Sequence, residues 1–342
     1  SRLWYNNCRG SPSGSLFSGN ARCGNARTGK LYDFSEISNP YKTECACVLL
    51  SLYHIWRGKN IGNSQDGDKK MNQIWDMHVH TCRSFDAQAL PEEQLAQAAR
   101  LGFAGFAVTN HCDVNMQSLA EARAAFLADA EDVRQLREST PGPLVLQGIE
   151  LGEPLEDLPY AEEMMGLLSY DYILGSVHNT PGQEDFYFMD CSGIDLDRVL
   201  TPYFEELIRL AEWGKTDSIA HLTYPLRYIE GKYHRKVDLS RYSDRIDQLF
   251  RTMIGKNLAL EVNSSGLRQE IGRPMPDERF LHRYYELGGR RIIFGSDAHA
   301  AGDFGAGIRE CMALCRRIGF REACFFRGRK AQTYSIGEEE QP

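Results

Sequence analysis

The sequence predicts an α/β fold of the parallel (β/α) barrel class, and three observations predict it. From Met71 onward, apolar runs of strand length alternate with amphipathic stretches of helical length. The strand-like runs, such as Phe103-Ala104-Gly105-Phe106-Ala107-Val108 and Arg291-Ile292-Ile293-Phe294, are nearly continuous in apolar character, as strands covered on both faces are. Seven such units follow one another with no second change of composition, which favours one barrel over two domains. A doubly wound open sheet is the competing arrangement.

Taken in order, the expected strands are residues 74–80, 103–110, 144–150, 172–178, 217–222, 258–263 and 291–297. The first helix opens at Leu90-Pro91-Glu92-Glu93, with proline and acids in its first turn. Residues 116–138 are rich in Ala, Glu and Arg, and residues 197–213, 242–256, 277–287 and 305–318 carry amphipathic spacing.

The chain has 342 residues, 42% of them hydrophobic and 25% charged, enough apolar material for a sizeable core. No apolar run approaches the roughly 20 residues that cross a bilayer, and no secretory pattern is present. A cytoplasmic protein with no membrane partner is expected. The ten cysteines form no paired framework and are expected to be reduced thiols. Residues 1–70 differ from the rest. They hold none of the nine methionines, and ten Lys and Arg against five Asp and Glu, a charge of +5. The remainder holds 29 against 42, a charge of −13. Residues 1–70 are therefore expected to be a non-native or disordered N-terminal extension, with Met71 as the natural start and residues 71–342 as the functional domain. The basic residues of the extension are scattered, unlike a nucleic-acid-binding arm.

The expected strands end in ligand-type residues. The first carries His78-Val79-His80, whose side chains leave a strand in the same direction, with Asp86 in the loop that follows. The second ends Thr109-Asn110-His111, the third Gly148-Ile149-Glu150, the fourth Val177-His178 and the fifth Ala220-His221. The sixth reads Leu260-Glu261-Val262-Asn263-Ser264-Ser265-Gly266-Leu267-Arg268, and the seventh ends Asp297-Ala298-His299. Six of the nine histidines occupy these slots. Any one of them alone reads as a hydrogen-bonded structural residue. Together, on the rim where barrel enzymes place their sites, they have no common structural cause. Imidazole and carboxylate are the ligands that divalent zinc, manganese or iron takes. His78, His80, Asp86, His111, Glu150, His178, His221, Asp297 and His299 are too many for one ion and suit two or three, with a bridging carboxylate.

These motifs in combination resemble the polymerase-and-histidinol-phosphatase (PHP) family from about Met71 to about residue 335. Gly175-Ser176-Val177-His178 and the Leu260 to Arg268 segment resemble its histidinol-phosphatase branch. The resemblance implies a distorted seven-stranded barrel with a trinuclear site. His78, His80, Glu150 and Asp297 would hold one metal, Glu150, His178 and His221 a second, and Asp86, His111 and His299 a third. Many relatives carry His where Asp86 stands and Asp where Asn110 stands.

The implied activity is hydrolysis of a phosphomonoester, histidinol phosphate, in histidine biosynthesis. Clustered divalent ions lower the pKa of water and neutralise phosphoryl oxygens, so in-line attack by a hydroxide bridging the metals is expected. Asp297 or a bound water would protonate the leaving alkoxide. Arg268 is the first candidate for gripping the phosphate, since guanidinium matches two phosphate oxygens, and Arg227 the second. Acids near the rim, such as Glu153, Glu184 or Asp185, are candidates to meet a cationic substrate, although any one of them alone reads as a solvated loop charge. Another small phosphorylated metabolite, a nucleotide or phosphotyrosine is the alternative substrate. The charge of −13 disfavours a nucleic-acid polymer. No phosphate loop ending in Gly-Lys is present. A non-catalytic metal module is disfavoured by the complete ligand set. An amide hydrolase with a bridging lysine is disfavoured because no lysine stands at a strand end.

Overall fold

The computed structural model describes residues 74–139 and 142–337, together with a short antiparallel ribbon of β1 (Cys23–Gly24) and β2 (Leu31–Tyr32). By contact the chain divides into two compact units, Ser1–Val48, which holds the ribbon, and Leu49–Pro342. The expectation for residues 1–70 lies outside the described residues, the ribbon excepted.

All seven expected strands are present, as β3 (Trp75–Val79), β4 (Gly105–Val108), β6 (Leu144–Gly152), β7 (Tyr172–Ser176), β8 (Ser218–Ile219), β9 (Ala259–Asn263) and β10 (Ile292–Gly295). They pair in that order and every pairing is parallel. The expected second strand breaks after Val108 and resumes as β5 (His111–Asp113), which runs beside the outer half of β6. The chain after β10 then returns to β3. The Asp297 N–H donates to the His78 carbonyl at 2.8 Å and the His80 N–H to the Ala298 carbonyl at 3.0 Å, so the sheet closes at its C-terminal rim. An open doubly wound sheet is ruled out by these bonds.

The expected helices appear as Pro91–Leu101, Leu119–Ser139, Leu196–Trp213, Ser243–Lys256, Glu278–Glu286 and Ile308–Ile318. Each turns an apolar stripe toward the sheet. The Leu158–Leu167 helix was not expected, because proline and glycine interrupt its pattern. It starts where the Asp157 carboxylate accepts the Tyr160 N–H at 3.0 Å. Among the described residues no helix is long and apolar enough to cross a membrane, and the described cysteines are unbridged.

A C-terminal hairpin, β11 (Glu322–Arg327) with β12 (Lys330–Ser335), was not expected either. It closes the end of the barrel opposite the ligand rim. Phe325 stacks on Trp75, the first residue of β3, with centroids 3.8 Å apart, and Phe326 on Tyr172, the first of β7, at 5.3 Å. Arg329 pairs with Asp217, just before β8, at 2.5 Å. Replacing Phe325 by Ala removes a buried stacked ring, at an expected cost of about 3–5 kcal/mol. Urea unfolding measures this as a lowered midpoint.

One polar contact in the helical layer has a pH consequence. Helix Leu119–Ser139 turns Asp129 inward, 1% exposed, where Asn110 and Gln147 donate to it at 2.8 and 2.7 Å. Burial dominates and raises its carboxyl from 3.8 to about 7, with Asp132 adding to the rise and the Gln147 and Asn110 hydrogen bonds opposing it. Between those values the folded chain keeps a proton that the unfolded chain has released. Stability therefore falls as pH rises through that window and is level above it. Asp129→Asn is expected to flatten this part of the stability–pH curve, by an amount on the order of a few kcal/mol. Denaturant titrations at pH 5 and pH 8 compare the two proteins.

Candidate metal centre

The rim collects its side chains from seven separate strands or strand ends. The β3–β4 register shifts between Asp76 and Val79, so the stretch bearing His78 and His80 leaves regular pairing as it reaches the rim. Glu150 stands inside β6, fully buried. Its two oxygens are met by His221 Nε2 at 2.9 Å, His111 Nδ1 at 3.1 Å, His78 Nε2 at 3.2 Å, His178 Nε2 at 3.3 Å and His80 Nε2 at 3.4 Å. Asp297 Oδ1 lies 3.4 Å from His80 Nε2, 3.6 Å from His78 Nε2 and 3.4 Å from His299 Nδ1. Asp86, more exposed, reaches His299 at 3.1 Å and His111 at 3.6 Å.

Several atoms of this cluster cannot be satisfied by one another. The Nε2 atoms of His78 and His80 are 2.9 Å apart and those of His178 and His221 are 3.3 Å apart. At most one proton can sit in each gap, so lone pairs of neutral rings converge there. Among the described residues, His111 Nδ1, His178 Nδ1, His221 Nδ1 and Asp113 Oδ1 are buried without a hydrogen-bond partner of good geometry. Converging nitrogen and carboxylate donors with too few protons to satisfy them all fit divalent cations of the zinc type. Among the described residues four sets fall within reach of a single ion each: His78, His80 and Asp297; Glu150, His178 and His221; His80, His111 and His299; and His111, Asp113 and His178.

Electrostatics shows the same tension. Burial opposes a charge on His78, yet Glu261, Glu150 and Asp297 outweigh it and lift its pKa well above the ordinary imidazole value. Burial, with His299 and His111 nearby, instead pushes His80 down to about 3. Burial alone would neutralise Glu150, but His111 and His78 hold its carboxyl well below the usual range. Protons here stand in for stronger cations. Metal binding must displace them, so affinity is expected to fall as pH is lowered.

All nine sequence-predicted ligands are brought to this one rim, and both arginines lie near Asp297. Arg268 donates to the Ser296 carbonyl at 2.9 Å and pairs with Asp303 at 3.4 Å, which binds it to that loop. Arg227 lies over the rings of Tyr224 and Tyr228 at 5.7 and 5.5 Å, close enough to Asp297 to feel its charge. No hydrogen bond ties up its guanidinium among the described residues. Of the rim acids, Glu153 is buried and accepts the His178 N–H at 2.5 Å, whereas Asp185 accepts the Tyr224 hydroxyl at 3.2 Å.

Two acids at the site had no role in the sequence reading. Glu261, in β9, accepts from His78 Nδ1 at 2.7 Å and from the His221 N–H at 2.5 Å, holding two ligands at once. A charged residue inside an apolar strand was the signal for it. Gly295 makes the room: a Cβ there would lie 2.2 Å from Glu261 Oε1 and 2.5 Å from the His78 Cβ. Asp113 lies 3.7 Å from His111 Nδ1 and 3.6 Å from His178 Nδ1, and nothing in the sequence distinguished it from a loop acid.

Comparison with known proteins agrees with this geometry. Residues 76–265, more than half of the chain, match the PHP domain family. A probable histidinol-phosphatase of Thermotoga maritima is 27% identical over 245 residues, covering 72% of this chain and 92% of its own. One of Deinococcus radiodurans is 27% identical over 272 residues, covering 77% and 100%. The crystal structure of the Lactococcus lactis histidinol phosphate phosphatase, complexed with zinc, L-histidinol and phosphate, superposes with a TM-score of 0.63 at 21% identity. It covers 76% of this chain and 99% of that one.

Glu150→Gln keeps the shape of this central side chain but removes its charge. It is expected to strip bound metal from the purified protein, to less than one-tenth of the wild-type content. Elemental analysis of both proteins after the same dialysis decides the point, and full metal content in the variant contradicts a metal-holding role for Glu150.

Proposed function

The chain belongs to the PHP domain family, and on that footing we propose that it is a metal-dependent phosphomonoester hydrolase whose substrate is histidinol phosphate. The observation that carries this reading is the buried Glu150 carboxylate ringed by imidazoles, near an arginine with no hydrogen-bond partner among the described residues. The names of the relatives supply the substrate.

His78, His80, Glu150 and Asp297 are assigned to one cation, Glu150, His178 and His221 to a second, and Asp86, His111 and His299 to a third. Zinc, manganese or iron fits these donors. Bound there, such ions supply a low-pKa water and neutralise the phosphoryl oxygens.

The chain's own residues do the rest. Arg227 takes the phosphate, its planar donors matching two oxygens. Tyr224 and Tyr228 position its guanidinium, whose central carbon lies over their rings. Arg268 serves the reaction indirectly, by clamping the carbonyl next to Asp297. Asp297 Oδ1 points at three imidazoles, while Oδ2 accepts from Ser265 at 3.2 Å and Asn263 at 3.4 Å. Its role is to hold a cation, and the leaving alkoxide takes its proton from water.

The test is phosphate release from histidinol phosphate, nucleotides, phosphotyrosine and a simple aryl phosphate, with and without chelator. Histidinol phosphate is expected to be turned over with the highest kcat/KM, and chelator to abolish release. Arg227→Ala is expected to lower kcat/KM by about 10- to 200-fold, the scale of one lost charged hydrogen-bond donor. A nucleotide preferred over histidinol phosphate overturns the substrate. Release that survives full metal removal overturns the mechanism.

A further inference from the structure

Behind His80 runs a chain of side chains that the mechanism does not use. Ser84 Oγ lies 3.1 Å from His80 Nδ1 and donates its one proton to Asn110 Oδ1 at 2.9 Å. Asn110 Nδ2 donates in turn to Asp129 Oδ1 at 2.8 Å. All four residues are buried. They come from four places in the chain: the rim of β3, the loop after it, the break between β4 and β5, and the middle of helix Leu119–Ser139.

The direction of each bond is forced. A backbone N–H can only donate, so Thr81 holds the Oδ1 end of Asn110 and leaves its Nδ2 end to donate to Asp129. The amide oxygen, 2.8 Å from the Thr81 nitrogen, then faces inward. Ser84 must donate to that oxygen, and its lone pairs are left for the His111 N–H at 3.0 Å and for His80. The only proton His80 can offer is on Nδ1. Its Nε2 is then bare and directed at Glu150 and Asp297. Asp129 has no evident structural reason to be an acid. Among the described residues it takes no hydrogen bond from a cation, since Arg83 pairs with Asp132 at 2.7 Å. A buried acid held only by two amides is costly to ionise.

We propose that Asp129 is a positioning residue for His80: acting through Asn110 and Ser84, it fixes the imidazole proton on Nδ1 and presents Nε2 to a cation. The inference rests on the metal reading of the rim and extends it to a group outside the ligand shell. Partners that orient a ligating histidine commonly govern metal affinity by about 10- to 100-fold.

The experiment measures zinc retention by the full chain against a competing chelator. The proteins are the wild type, Ser84→Ala, Asp129→Ala, the double variant Ser84→Ala/Asp129→Ala, and Asp129→Asn. Each single alanine variant is expected to weaken retention by about 10- to 100-fold. The double variant is expected to be no weaker than the poorer single, because both cut one chain. Asp129→Asn is expected to recover most of the loss, since its amide oxygen can still accept from Asn110 once Gln147 turns its own amide. Asp132→Asn, which removes a neighbouring charge outside the chain, is expected to retain zinc like the wild type. If Asp129→Ala does not fold, Ser84→Ala and Asp129→Asn still decide. Ser84→Ala within twofold of wild type, Asp129→Asn as weak as Ser84→Ala, or additive losses in the double variant overturn the proposal. A wild type that holds no zinc overturns the metal reading itself, a separate result.

Discussion

The centre of this molecule depends on one buried carboxylate. Glu150 has no solvent, and nitrogens of four histidines from four different strands lie within 3.3 Å of it. A lone ionised carboxylate in such a place would be strongly disfavoured. It is tolerable only with positive charge around it, from protonated imidazoles or from metal ions. The two are alternatives, because the nitrogens that would carry the protons are those that point inward. Binding of metal, protonation of the rim and integrity of the barrel mouth are thus coupled through a single group.

The fold brings the groups together by closing the sheet. The parallel pairing places every strand's C-terminal end on one rim, and the bonds from His80 to Ala298 and from Asp297 to His78 join the first strand to the last. Positive φ values at Glu153, His221 and Asp297, 49°, 21° and 54°, occur where the chain must turn a side chain inward just past a strand. Non-glycine residues adopt that region at a cost of order 1–3 kcal/mol each. The opposite mouth, sealed by Phe325 on Trp75 and Arg329 on Asp217, carries the apolar contacts that offset it. Stability and chemistry are separated to the two ends of the barrel.

The strands and most helices were legible because their signal is local. Seven apolar runs of the right length, and six helical stripes, could each be read within about 15 residues. The Leu158–Leu167 helix was not, since its proline and glycine mask the period. β5 was read as the tail of the second strand, because the break after Val108 lies in the hydrogen bonding of Asn110 rather than in its hydrophobicity. The C-terminal hairpin was missed because its apolar face matters only against the barrel floor. At the site, the nine candidate ligands stood out as polar ends of apolar runs. Glu261 and Asp113 were visible as letters, but their partners lie 183 and 65 positions away.

The sequence by itself determined the kind of fold and the donor chemistry. Both depend on residue type and on position along a strand, and a strand's alternation and its end are properties of a few adjacent residues. Only the tertiary structure decided which nitrogen of each histidine faces the centre, which arginine is left with open donors, and which acids stand behind the ligands. Those are matters of angle and of reach across the barrel. Hydrogen bonds act over about 3 Å, and no spacing along the chain specifies a distance that short between residues so far apart.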